Sequence, residues 1–118
     1  MYEILIKSDF SGAHNLKGYK GKCEELHGHN WKVEVGLSGS TLNSQGMIMD
    51  FKELKEMLKS ALSDLDHRNL NDLACFKKKN PTSENIAQLI YSRLANATKR
   101  KMRVSVWETD TSCASFEK

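Results

Sequence analysis

The sequence predicts an α+β fold: an antiparallel four-stranded sheet with two helices on one face. Three observations lead there. Two stretches of alternating apolar and polar residues open the chain, two amphipathic stripes with capping residues fill its middle, and two shorter alternating stretches close it. The order is β-β-α-α-β-β, and amphipathic helices need a sheet to cover.

Tyr2, Ile4 and Ile6 alternate with Glu3, Leu5 and Lys7, predicting a strand that reaches about Ala13. Gly18 and Gly21 mark a loop. Trp31, Val33, Val35 and Leu37 alternate with Lys32 and Glu34, a second strand. The region from Gly39 to Gly46 is turn-rich. Asp50 begins a helix with Glu53 as its capping-box partner, and Phe51, Leu54, Leu58, Ala61, Leu62 and Leu65 form one apolar stripe. The span from Asp66 to Asn80 reads as loop. Pro81-Thr82-Ser83-Glu84 opens a second helix, with Thr82 or Ser83 as cap and Glu84 favoured in the first turn by the helix dipole. Ile86, Leu89, Ile90, Leu94 and Ala97 line its buried side. Val104 and Val106 mark a third strand, and Ala114 to Phe116 a short fourth. With both helices on one face, the other face of the sheet needs a partner, so oligomerisation is expected.

At 118 residues the chain is expected to be one domain, residues 1–118, large enough to bury a core without disulfides. A hydrophobic fraction of 39% and a charged fraction of 28% suit a soluble globular protein. The net charge of +3 suits an anionic small molecule and is too slight to argue for nucleic acid. The basic runs Lys77-Lys78-Lys79 and Lys99-Arg100-Lys101 lack interleaved aromatics and read as solvated charge. The 3 cysteines, Cys23, Cys75 and Cys113, have no disulfide-like spacing and suggest a reducing compartment. With no signal-like N-terminus and no apolar run of membrane-spanning length, a cytoplasmic location is expected.

The chain has only 4 histidines, and Cys23-Glu-Glu-Leu-His27-Gly-His29 brings two of them close to a thiol. Residues two apart on a strand point to the same side, so His27 and His29 converge while Gly28 turns away. Antiparallel pairing of the first two strands would bring in His14 as a third nitrogen. Three protein ligands leave zinc an open coordination position, as catalytic sites require. His27 and His29 share the parity of Trp31 and Val33, which places them on the apolar face unless a bulge intervenes. Cys23, near Lys17, Lys20 and Lys22, is a base, a nucleophile or a fourth ligand, and spacing alone does not choose. Asp66-His67 pairs a carboxylate with an imidazole, which favours one tautomer and the charged form. Glu108 shares the parity of Val104 and Val106. A carboxylate on that buried face needs donors, and the paired N–H groups of a 2-aminopyrimidinone ring would supply them.

Six segments in order resemble the 6-pyruvoyl-tetrahydropterin synthase / 6-carboxy-tetrahydropterin synthase family. They are Phe10-Ser-Gly-Ala-His14, Cys23 to Asn30, Gly46-Met-Ile-Met-Asp50-Phe51, Leu65-Asp66-His67-Arg-Asn-Leu70-Asn71, Asn80 to Asn85 and Glu108-Thr109. The resemblance implies the tunnelling fold, in which three subunits close a barrel, two trimers commonly stack as a homohexamer, and active sites lie between subunits. It implies zinc on His14, His27 and His29. It makes Cys23 the catalytic base or proton shuttle, assisted by Asp66 and His67. Glu108 would anchor the pterin, with Thr82, Ser83 and Glu84 near that pocket. The implied substrate is 7,8-dihydroneopterin triphosphate. The short spacing from Cys23 to His27 looks like the carboxy-tetrahydropterin branch, which releases acetaldehyde and triphosphate on the way to queuosine and other 7-deazapurines. Leu42-Asn43-Ser44-Gln45 departs from the family pattern, in which an Asp-Pro turn is frequent there, and the ending Cys113-Ala-Ser-Phe116 is also variant.

Two alternatives accompany that reading. One is a 6-pyruvoyl-tetrahydropterin synthase, which eliminates triphosphate without cleaving the side chain. The other is a non-enzymatic module in which three histidines and Cys23 close a structural zinc site. The expected partners are the small-molecule substrate and further copies of the chain, as a trimer or dimer of trimers, with no nucleic acid and no membrane.

Overall fold

A computed structural model describes residues 1–18, 21 and 24–118. Strand β1 (Tyr2–His14) and strand β2 (His27–Gly39) form a long antiparallel pair in which every residue from Tyr2↔Gly39 to His14↔His27 has a partner. Helix α1 (Phe51–Leu62) and helix α2 (Ser83–Leu94) follow, separated by strand β3 (Arg68–Asn69) and two short 3-10 turns. Strands β4 (Lys101–Thr109) and β5 (Ser112–Glu117) complete the sheet. Among the described residues, no helix is long and apolar enough to cross a membrane.

Among the described residues the sheet has five strands in the order β3-β1-β2-β4-β5, not the four antiparallel strands that the sequence suggests. The extra strand is β3, whose two residues run parallel to Gly12 and Ala13 of β1. Two residues carry no alternation that a sequence pattern could register. They pair because neighbouring side chains fasten this segment to β1.

Alternation sets the two faces. Ile6 and Phe10 of β1, Trp31, Val33, Val35 and Leu37 of β2, and Met102, Val104 and Val106 of β4 are buried on one face. Leu54, Leu58 and Leu62 of α1 and Ile86, Ala87, Ile90 and Leu94 of α2 cover that face. The opposite face carries charged side chains, including the Lys7–Glu34 pair at 3.7 Å. Both helices start at side-chain caps, as their sequences require. Asp50 accepts from Lys52 N at 2.8 Å and Thr82 Oγ1 from Asn85 N at 3.1 Å.

Gly12 is the point where backbone and ring crowd. An added Cβ there would lie 3.3 Å from the Phe10 ring and 3.4 Å from the Leu65 carbonyl oxygen, so a side chain would push β1 away from the turn after α1.

A candidate metal centre at the end of the hairpin

The unbroken register of β1 and β2 places His14 directly across from His27 and Gly12 across from His29. All three histidines share the parity of the core residues and point to the helix-covered face. Glu108 joins them from β4. It lies just beyond the Lys32↔Trp107 pair, where the β4–β5 register shifts between Trp107 and Thr109. A bulge of this kind re-aims a side chain. One ligating atom from each of His14, His27, His29 and Glu108 lies within 4.8 Å of every other, a group that could hold a metal ion.

The ring nitrogens converge on one another. His14 Nδ1 lies 2.7 Å from the Pro81 carbonyl oxygen, and His27 Nδ1 lies 2.7 Å from that of Glu25. A carbonyl only accepts, so both Nδ1 atoms carry the proton. In the neutral rings both Nε2 atoms then present lone pairs, and they face each other at 3.1 Å. Two lone pairs at that distance repel unless a cation or a proton lies between them. His29 Nε2 sits 3.0 Å from Glu108 Oε1 and His14 Nε2 3.2 Å from the same oxygen. The His29 contact lacks hydrogen-bond geometry, so among the described residues His29 Nε2 is a buried nitrogen without a partner. Three converging imidazole nitrogens, one orphaned and two opposed, suit a divalent cation that takes nitrogen ligands.

Burial holds the His29 imidazole below its ordinary pKa range, outweighing the upward pull of the Glu108 carboxylate, and charge on His14 or His27 would lower it further. Neutral imidazole is the form that ligates. The floor of the group is aromatic. Trp31 meets His14 and His29 edge-on, at centroid distances of 4.9 and 5.2 Å, stacks on Phe10 at 5.8 Å, and donates from Nε1 to the Gly12 carbonyl at 3.1 Å.

The structure leaves other sequence-singled residues apart from this group. Asp66 and His67 follow α1 at the outer edge of β1. Asp66 Oδ1 accepts from Ser11 N at 2.9 Å and lies 3.0 Å from His67 Nδ1. The Ser11 amide is the main cause that holds the Asp66 carboxyl below its usual range, with His67 adding to it. His67 has φ 58°, a left-handed conformation uncommon for a residue with a Cβ, and its side chain is 81% exposed. Thr82, Ser83 and Glu84 open α2 immediately after Pro81, whose carbonyl holds His14. Cys23, Lys20 and Lys22 lie outside the described residues.

Sequence reasoning did not foresee the Pro81 and Glu25 carbonyls or the Trp31 floor. Main-chain oxygens leave no trace in residue type, and Trp31 read simply as a strand residue.

Comparison with known proteins agrees with this arrangement. The family model described as 6-pyruvoyl tetrahydropterin synthase matches residues 3–118, and the chain belongs to that family. It is 37% identical over 122 residues to the 6-carboxy-5,6,7,8-tetrahydropterin synthase of Synechocystis, covering 98% of this chain and 93% of the other. It is 37% identical over 108 residues to the dihydroneopterin monophosphate aldolase of Pyrococcus furiosus, covering 89% and 88%. The structure of Caenorhabditis elegans 6-pyruvoyl tetrahydropterin synthase superposes with a TM-score of 0.87 at 28% identity, over 99% of this chain and 95% of that one. The family acts on a small-molecule pterin substrate, which agrees with a group of three histidines and a carboxylate that could hold a metal.

Proposed function

We propose that the chain is a zinc-dependent 6-carboxy-5,6,7,8-tetrahydropterin synthase. It would convert 7,8-dihydroneopterin triphosphate and water into 6-carboxy-tetrahydropterin, acetaldehyde and triphosphate. The observation that carries this reading is the opposed Nε2 pair of His14 and His27, each ring held by a carbonyl on its other nitrogen, with the unpartnered His29 Nε2 beside them. A relative of that name matched over nearly the whole chain supports the choice of branch.

His14, His27 and His29 would hold the zinc, and a zinc ion there supplies Lewis acidity toward a substrate oxygen. With a cation accounting for the three nitrogens, the Glu108 carboxylate is free to accept two adjacent N–H groups of the pterin ring, fixing its orientation. Cys23 takes and returns protons at the substrate side chain, and Asp66 with His67 relays them. Thr82, Ser83 and Glu84, next to the carbonyl that holds His14, line the ring pocket. The exposed His67 ring must be covered for such a role, and the copy that covers it is a second subunit of the same chain, in a trimer or dimer of trimers. The product belongs to the route toward 7-deazapurines such as queuosine, and the enzyme works in the cytoplasm.

Two other branches are tested by the same experiment. The C. elegans structure favours the pyruvoyl synthase as a second reading, and the Pyrococcus relative an aldol cleavage. Zinc-loaded protein is incubated with 7,8-dihydroneopterin triphosphate and the products are identified by mass spectrometry. Free triphosphate with acetaldehyde is the expected outcome. Triphosphate with a pyruvoyl pterin would move the chain to the second branch. An aldehyde that keeps its phosphates would indicate aldol cleavage, and no turnover by metal-loaded protein would leave only a zinc-stabilised module.

A further inference from the structure

Among the described residues, the outer edge of β1 has almost no strand beside it. Strand β3 supplies only the pairs Gly12↔Arg68 and Ala13↔Asn69. Successive residues of a strand turn their N–H and C=O groups to opposite edges, so alternate residues present both groups to the same side. On this edge those residues are Ser11 and Ala13, and past the end of β1 the chain continues through Asn15 into a turn at Lys17; Ser11, Asn15 and Lys17 are each paired without a regular strand. The Ser11 amide donates to Asp66 Oδ1 at 2.9 Å, and its carbonyl accepts from His67 N at 2.6 Å. The Asn15 amide donates to Asn71 Oδ1 at 2.9 Å, and Asn71 Nδ2 returns a bond to the Asn15 carbonyl at 3.0 Å. The Lys17 amide donates to Asn80 Oδ1 at 2.8 Å, and Asn80 Nδ2 returns one to the Lys17 carbonyl at 2.9 Å. Among side chains, the primary amides of Asn and of the longer Gln offer a separate donor and acceptor that match a peptide group in this way.

Both amides are themselves held in place. Asn71 is 8% exposed, and its backbone amide donates to Asn69 Oδ1 at 3.1 Å. The Asn80 carbonyl accepts from Asn85 Nδ2 at 2.8 Å, inside the first turn of α2. The next residue, Pro81, is the one whose carbonyl holds the His14 ring. The dipeptide Asn80-Pro81, just before α2, therefore grips the end of β1 and the turn after it, at the imidazole of His14 and at the backbone of Lys17.

We propose that Asn71 and Asn80 are positioning residues for the metal centre. Their amides act as two surrogate rungs that extend the β1 ladder past His14. They hold His14 Nε2 on its line toward His27 and fix the start of the chain segment that leads to Cys23. The metal part of this inference rests on the function proposed above, whereas the clamp itself does not.

The test uses full-length Asn80→Ala, Asn71→Ala and Asn80→Asp, with three readouts and no substrate. The first is zinc affinity by chelator competition. Loss of a group that orients a ligand costs about 10–100-fold in affinity, and Asn80→Ala is expected in that range. Asn80→Asp keeps the acceptor for Lys17 N and loses the donor, so it should fall between Ala and wild type. The second readout is the visible spectrum of cobalt(II)-loaded protein, which reports ligand geometry. It should change in Asn80→Ala at a urea midpoint close to wild type, an effect that mere destabilisation would not produce. The third is amide hydrogen exchange, faster at Lys17 in Asn80→Ala and at Asn15 in Asn71→Ala.

Wild-type zinc affinity and an unchanged cobalt spectrum in Asn80→Ala would overturn the proposal. If the buried Asn71→Ala fails to fold, the half-buried Asn80 decides. If wild-type protein binds no zinc, the proposed function falls. Exchange then decides the clamp alone, and unaltered protection of the Lys17 amide in Asn80→Ala would overturn it.

Discussion

The two histidine-bearing regions of this molecule are built on opposite terms. At the end of the β1–β2 hairpin, His14 is 1% exposed, its ring is fastened at Nδ1 by a carbonyl, and its free nitrogen points at other nitrogens over an aromatic floor. At the outer edge of β1, the His67 ring is 81% exposed and holds only Asp66 Oδ1, while its backbone sits at φ 58°. In the first region one chain brings the group together: the paired hairpin converges three histidines that are neighbours in register, and β4 adds Glu108. The second is fixed in backbone but open in side chain. Its Asp66 is committed to the Ser11 amide, so the pair is pinned at the sheet edge and presented outward. The proposed metal group would therefore draw its four side chains from one chain, whereas the proton relay proposed at His67 would need another surface against it.

The sharpest way to break that contrast is to compare His14→Ala with His67→Ala. Removing His14 deletes a proposed ligand, so zinc affinity should fall by more than the roughly 100-fold that bounds the loss of an orienting group, and turnover should vanish with it. Removing His67 should cost turnover by about 10²–10⁴-fold, the usual worth of a general acid or base, with zinc affinity unchanged. Chelator competition and single-turnover assays on both variants check this. Zinc loss in His67→Ala would erase the distinction.

A second prediction concerns the floor beneath the first region. Trp31→Ala removes a fully buried indole and its bond to Gly12, and should destabilise the fold by about 3–5 kcal/mol in urea unfolding. A loss below about 1 kcal/mol would mean that the histidines do not rest on this packing.

The smallest effect sharpens the comparison at the second region. Asp64, two residues before Asp66, takes both guanidinium nitrogens of Arg93 at 2.6 and 2.9 Å and so fastens the end of α1 to α2. Those bonds hold its carboxyl below the ordinary value of 3.8. A lowered carboxyl stabilises the fold above its unfolded pKa, and that contribution disappears as pH falls through the folded value. Its side chain is 51% exposed, so solvent screening limits the pair to about 0.5–1 kcal/mol. Asp64→Asn should lose that amount near neutral pH. The gap from wild type should close once acid has protonated the wild-type carboxyl. A gap that persists there would show that the bonds do not depend on charge.

Much of this architecture was legible in the chain. The parity of His27, His29 and Glu108 with Trp31, Val33, Val104 and Val106 placed all three on the core face, and the structure has them there. Asp50 and Thr82 announced both helix starts. The segment between Asp66 and Asn80 was not legible. It read as loop, yet it contains β3 and two amide clamps, at Asn71 and Asn80. Its bonds join residues 55 to 63 positions apart through single side chains, and no periodicity records such a link.

Which residues alternate, which cap a helix and which carry ligating atoms are properties of short stretches of chain. They follow from residue chemistry and the two backbone periods. That His14 meets His27 nitrogen to nitrogen, that a proline carbonyl orients the ring, and that asparagine amides stand in for a missing strand depend on distant segments arriving together. Such contacts exist only once burial of the common core has brought α2 and the β3 turn against β1, which carries the Asp66, Asn71 and Asn80 side chains to the unpaired backbone groups of that edge and of the turn after it.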